Sequence, residues 1–211
     1  MTTTIDFLDP RVRTDFGTFI SRARPISIDG AVRIRTLGPM LVLTVAVLRH
    51  SGLPGEGSVL GMRIMPVAGG DPVDTTVPIA AVADRLARRS GEGATFALPP
   101  TTLSTLWAND TPPRGGWERV GEIDCTDLDR VAKEGIAAVT HGAPEGSGAL
   151  AVDELRRRVW GVPTDTVPPV PAGMAFAAYA LGFTSPGEPA SVTMHGQWTR
   201  LSTSRGHVLA R

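Results

Sequence analysis

The side chains best suited to chemistry lie at the end of the sequence, in QWTRLSTSRGHVLAR (197–211). Trp198, Arg200, Arg205, His207 and Arg211 gather there among small hydroxyls. A guanidinium presents a planar fork of donors that matches a carboxylate or phosphate, and an indole face attracts a cation. The chemistry on offer is anion binding. The same residues equally describe a polar outer sheet face on which arginine is incidental. A second set, PPRGGWERVG (112–121), places Arg114 and Trp117 on either side of a Gly-Gly turn, where a bare backbone permits close approach. Its plainer reading is a tight turn with Trp117 covering the edge of the core. The loop HSGLPGEG (50–57), with His50 and Glu56, is a third and weaker set.

Other patterns do not assemble a site. GEGSVLG (55–61) has the glycines of a dinucleotide fingerprint, but a strand follows where a helix is required, so it reads as a hairpin loop. Glu122, Asp124, Asp127 and Asp129 match no calcium loop, and two of them suit the first turn of a helix. His50, His141, His195 and His207 have no metal-ligand spacing, and no metal or cofactor is expected. Cys125 is the only cysteine; it precedes a helix, where a thiol can be activated, yet a lone cysteine reads first as a small buried apolar residue. The basic clusters at 88–93 and 154–160 read as solvated helix faces.

Composition narrows the class. Of 211 residues, 42% are hydrophobic and 20% charged, a globular balance. The 21 basic and 21 acidic residues cancel, which argues against a dedicated nucleic-acid binder. Lys133 is the only lysine, so nearly all the positive charge is arginine. The start of the chain lacks the basic and apolar segments of a secretory signal. The longest apolar runs, 39–48 and 171–183, fall short of the length that spans a bilayer. These features predict a soluble, cytoplasmic protein without membrane contact.

The elements that must carry these side chains follow from period. Asp9 and Pro10 are the N-cap and first position of a helix striped by Val12, Phe16, Phe19 and Ile20, which stops before Pro25. AVRIRTL (31–37) alternates, MLVLTVAVLR (40–49) is a strand covered on both faces, and SVLGMRIMPV (58–67) is a third. These make a meander. Residues 71–91 read as a helix with Ile79, Val82 and Leu86 inward, an Asp84–Arg88 pair and Gly91 as its stop. A short helix is expected over 101–110 and a strand over 112–124 with Trp117, Val120 and Ile123 available to pack. A helix over 126–139 opens on a Thr-x-x-Asp box. Another covers 149–161, with pairs Asp153–Arg157 and Glu154–Arg158. The helix AGMAFAAYALG (172–182) has almost no polar residue, so it is either buried or an interface.

For the tail, a two-residue turn at Ser204-Arg205 makes Thr203 face Gly206, Leu201 face Val208 and Thr199 face Ala210. Trp198, Arg200, Ser202, His207, Leu209 and Arg211 then share the opposite face. Val192 and Met194 have the wrong parity for this strand, and a bulge near Gly196 would reconcile them. The expected fold is a single α+β domain over 1–211: a mainly antiparallel sheet, from the N-terminal three-strand meander and the C-terminal hairpin, with about five helices. The expected function is non-enzymatic, a self-associating or partner-binding protein. The alternative is a protein or enzyme that binds an anionic small molecule on the C-terminal face.

If the last strand completes the sheet, its removal exposes the core. Deleting residues 206–211 is expected to destabilise the protein by about 4 kcal/mol or more. A truncated chain that melts like the full chain would contradict the hairpin.

Overall fold

The computed structural model describes residues 3–48, 57–88, 94–109, 111–143 and 148–211. They form antiparallel sheet with five α-helices, an α+β fold. The chain divides into two compact units, 1–47 with 62–111 and 48–61 with 112–211.

In unit 1, β1 (Thr4–Phe7) leads into α1 (Pro10–Ala23). Asp9 caps this helix, its carboxylate accepting from the Arg11 and Val12 amides at 2.7 and 3.1 Å. Phe16, Phe19 and Ile20 face inward as the period requires. Then come β2 (Ala31–Leu37), β3 (Met40–Leu48), β4 (Val59–Gly70) and β5 (Asp74–Pro78), in the order β5-β2-β3-β4. The meander is as expected, and Leu41 through Val47 are all buried, as a doubly covered strand demands. β1 pairs with β4 and with β6 (Thr95–Ala97). The rings of Phe7, Phe16 and Phe96 pack at 5.3–6.2 Å and anchor this core.

Three short strands and one helix start depart from the sequence reading. β1 and β6 are four and three residues long, too short for alternation to register. Residues 74–78 are strand, and α2 (Ile79–Arg88) begins only after Pro78. The residue before a proline avoids the helical region, so Val77 remains extended and pairs with Val32. The short helix expected over 101–110 is a single 3-10 turn, Leu106–Asn109. Trp107 holds it, buried and donating its indole N–H to Asp29 at 2.6 Å. Arg33 ties β2 to β5 by a double ion pair to Asp74 at 2.8 Å and also donates to the Ala108 carbonyl.

In unit 2, β7 (Glu118–Asp124) runs into α3 (Cys125–Gly142), followed by α4 (Ala149–Trp160), α5 (Ala172–Ala180), β8 (Pro189–His195), β9 (Trp198–Thr203) and β10 (Gly206–Ala210). The strand order is β10-β9-β8-β7, and the Arg211 amide donates to the Ser58 carbonyl of the same unit. α5 is buried from Ala172 to Ala178 and packs on α3, α4 and β10. The apolar helix is thus the core of its unit, and its surface is spent there. Trp160 stacks on Phe176 at 4.5 Å.

The cap of α3 is Asp124, which accepts from the Thr126 amide at 2.7 Å, and not the box opened by Thr126. Hydrogen bonds hold the Asp124 carboxyl below its usual range. On α4 the ion pair is Arg157–Glu154 at 2.8 Å, three residues apart, where pairs four apart were expected. Val120 is 47% exposed because the strand bulges between Arg119 and Gly121, turning it outward. The loop 50–56, Gly91 and most of the cluster 88–93 lie outside the described residues.

Two outcomes follow from this packing. A Cβ on Gly135 of α3 would run into the Trp160 ring, whereas one on Gly115 meets nothing. Gly135→Ala is expected to lower the unfolding free energy in urea by about 1–2 kcal/mol despite its gain in helix propensity, and Gly115→Ala to change little. The second concerns acid. Bonding to Arg33 lowers the Asp74 pKa below its ordinary 3.8. A depressed carboxyl stabilises the fold above about pH 4 and loses that contribution as pH falls through the folded value. Asp74→Asn should therefore cost about 0.5–1 kcal/mol at pH 7, small because the carboxylate is half exposed. The deficit should shrink in melts taken below pH 4.

Candidate functional site

The C-terminal strands pair as the tail's pattern requires. Gly206 faces Thr203, Val208 faces Leu201 and Ala210 faces Thr199, with Ser204-Arg205 at the turn. Leu201, Val208 and Ala210 are buried on the core side, and Gly206 lies against the Phe183 ring. The parity of Val192 has another cause than a bulge. The chain reverses at Gly196-Gln197, with Gly196 at φ +57, so residues 189–195 form a separate strand. Val192 then faces Leu201 directly, and both are buried. A continuous strand would have needed a bulge; two strands need only the turn.

The opposite face, on which Trp198 and Leu209 are buried as well, carries the site. Pairing sets Thr193 against Arg200 and His195 against Trp198. β7 pairs Glu118 with Met194, which brings Trp117, one residue earlier, level with His195. From there the Trp117 ring reaches Arg200, whose guanidinium carbon lies 4.4 Å from the ring centroid. Arg200 Nε also donates to Thr193 Oγ1 at 3.3 Å. His195 lies 6.0 Å from Trp117, and its Nδ1 donates to the Gly116 carbonyl at 2.9 Å. Gly116 adopts φ +74, and a Cβ there would press on the His195 ring, so glycine is needed for both the turn and the approach. Trp117 is fixed by its own N–H, which donates to the Pro113 carbonyl at 3.0 Å. A second stack lies alongside: Arg211 sits 5.8 Å over Trp198 and donates weakly to Gln197 Oε1 at 3.5 Å.

The two sets that looked separate in sequence, Arg200 with Trp198 and Trp117 after the Gly-Gly turn, are thus one cluster. Burial pushes the Arg200 guanidinium down from its ordinary value. His207 lies on the same face, one step nearer the hairpin tip, and shares a hydrogen bond with Ser202 at 2.9 Å. Arg205 is exposed at the tip, its amide donating to Thr203 Oγ1. Arg114 is exposed, and no contact among the described residues joins it to Trp117. Thr193, His195 and Gln197 belong to the cluster and carried no sequence signal beyond Gly196, the turn that brings them in. Elsewhere, Cys125 is buried at the start of α3, and burial pushes its thiol up, away from a reactive thiolate. No described helix is long and apolar enough to cross a membrane.

The fold has counterparts among solved structures. A DNA polymerase sliding clamp from Pseudomonas aeruginosa aligns over 100% of this chain and 64% of its own, at 16% identity and TM-score 0.54. A putative DNA polymerase III beta subunit from Eubacterium rectale aligns over 99% and 64%, at 10% identity and TM-score 0.56. A sliding clamp from Bartonella birtlesii, bound to griselimycin, aligns over 100% and 64%, at 12% identity and TM-score 0.56. At these identities the likeness is one of fold, and the chain spans 64% of the length of these clamp chains. No curated protein matches the sequence. Residues 112–211 match the family model Domain of unknown function (DUF8185), which begins where the chain enters unit 2 for the last time. Residues 1–109 match the model Domain of unknown function (DUF8010), and the chain belongs to that family.

Proposed function

We propose that this protein is a non-enzymatic scaffold of clamp-like fold, which acts by self-association and by docking partner proteins. The observation that carries this reading is a sheet edge, β7, with exposed valines beside it. The chain's fold resembles that of sliding clamps, whose chains it covers to 64%. Copies of one chain joined head to tail close into a ring when their rotation permits. The zero net charge supplies no general attraction for nucleic acid, so the reading stops at protein partners.

The self-contact is assigned to the β7 edge of unit 2. β7 pairs with β8 on one side, and among the described residues β8 alone is its neighbour in the strand order. Beside it, the loop 163–171 lays Pro168 against Gly121; Val167, which precedes that proline, is 88% exposed, and Val120, which precedes that glycine, is 47% exposed. Exposed valines flanking a sheet edge suit contact with another chain. The alternative, a binder of anionic small molecules on the C-terminal face, draws on Arg200 and Trp117 alone.

Native mass spectrometry of the full chain is expected to give a closed multiple of the 22.2 kDa subunit. The double variant Val120→Asp, Val167→Asp should shift it to monomer at unchanged melting temperature. A wild-type monomer at tens of micromolar would overturn self-association.

A further inference from the structure

The face formed by Trp117, Thr193 and Arg200 holds a cation whose charge its own unit does not answer. Among the described residues no carboxylate lies within ion-pair distance of Arg200, whereas Arg119, Arg130 and Arg157 of the same unit each have one. We propose that Arg200, stacked on Trp117 and held by Thr193, receives a carboxylate side chain from an extended acidic segment of a partner protein. This deepens the partner-docking part of the proposed function and does not depend on self-association.

Three observations carry it. The guanidinium donates one side-chain hydrogen bond, from Nε to Thr193, and a carboxylate matches the remaining fork of donors. Arg200 is already half-buried against an indole, so part of its desolvation is spent in the folded protein. The attraction to an incoming carboxylate then acts at reduced dielectric. Burial is the sole cause of the downward shift of its pKa, and no nearby carboxylate offsets it.

The third is spacing. Arg200 faces Leu209, and Arg211 lies two residues beyond, a diagonal neighbour about 7–8 Å away along the paired strands. Alternate side chains of an extended peptide repeat at about 6.6 Å. Acidic residues two apart therefore match the stacks on Trp117 and Trp198. A free phosphate is usually gathered by converging backbone N–H groups at a nest or helix start, whereas these donors are side chains set along two strands.

The test is fluorescence anisotropy on the full chain, with a dye-labelled peptide of alternating glutamate and leucine and its glutamine twin. The glutamate peptide is expected to bind, more weakly as salt rises, and the twin not to bind. Arg200→Gln should weaken binding about tenfold or more, and Arg200→Lys should fail to restore it, because an ammonium cannot reproduce the stacked fork. Arg205→Gln at the hairpin tip should bind like wild type. Should Arg200→Gln melt early, Thr193→Val keeps the charge while removing its anchor, and a several-fold loss is expected. Equal binding by folded Arg200→Gln overturns the proposal. So does Arg200-dependent binding of inorganic phosphate without peptide binding, which would make this a free-anion site. A monomer that binds the peptide sinks self-association alone, and an oligomer that ignores it sinks this inference alone.

Discussion

The second unit depends on the alternation of one strand, β9. Leu201 points into the core between Val192 and Val208, while Arg200, one residue earlier, points the other way between Thr193 and Leu209. A strand offers only these two directions, and a slip of one residue would place Arg200 in the apolar core and Leu201 outside. The cost of burying a guanidinium without a partner is several kcal/mol, far more than any single contact on the outer face returns. The register of the hairpin is therefore fixed by the core, and the geometry of the outer cluster is its consequence.

This coupling explains how much of the site could be read from sequence. Periodicity and a two-residue turn gave every pair of the β9–β10 ladder, because a strand with one buried face leaves a single register open. The pairing of β8 was obscured because Gly196 suits either a bulge or a turn, and local chemistry does not separate them. Once the chain reverses there, Thr193 and His195 arrive beside Arg200 and Trp198 without any pattern of their own. Trp117 is nearly eighty residues from β8, and only the β7–β8 pairing brings it in. Long-range pairing is the part of a fold that local pattern does not encode.

The helices show the same division. Caps and stripes placed α1, α3, α4 and α5 within a few residues, since an N-cap carboxylate and a 3.6-residue stripe are local features. What they touch was not local. The nearly all-apolar α5 could equally have been an interface; its contacts with α3, α4 and β10 consume that surface. The residues predicted to make ion pairs on α4 chose neighbours three apart over four, a choice set by rotamer and exposure and worth little either way.

The charge balance of the chain takes on a sharper meaning in this light. Equal totals of acid and base need not mean that each arginine has a partner, and Arg200 is set where its unit offers an indole and a hydroxyl in place of a carboxylate. A cation over an indole gains about 0.5–2 kcal/mol, enough to offset part of its desolvation while leaving its charge unsatisfied. Lysine would be a poorer occupant, since a compact, strongly hydrated ammonium resists the same burial and offers no planar fork. A half-desolvated guanidinium of this kind is stable enough to persist in the folded protein, yet it gains further when a carboxylate supplies the missing charge.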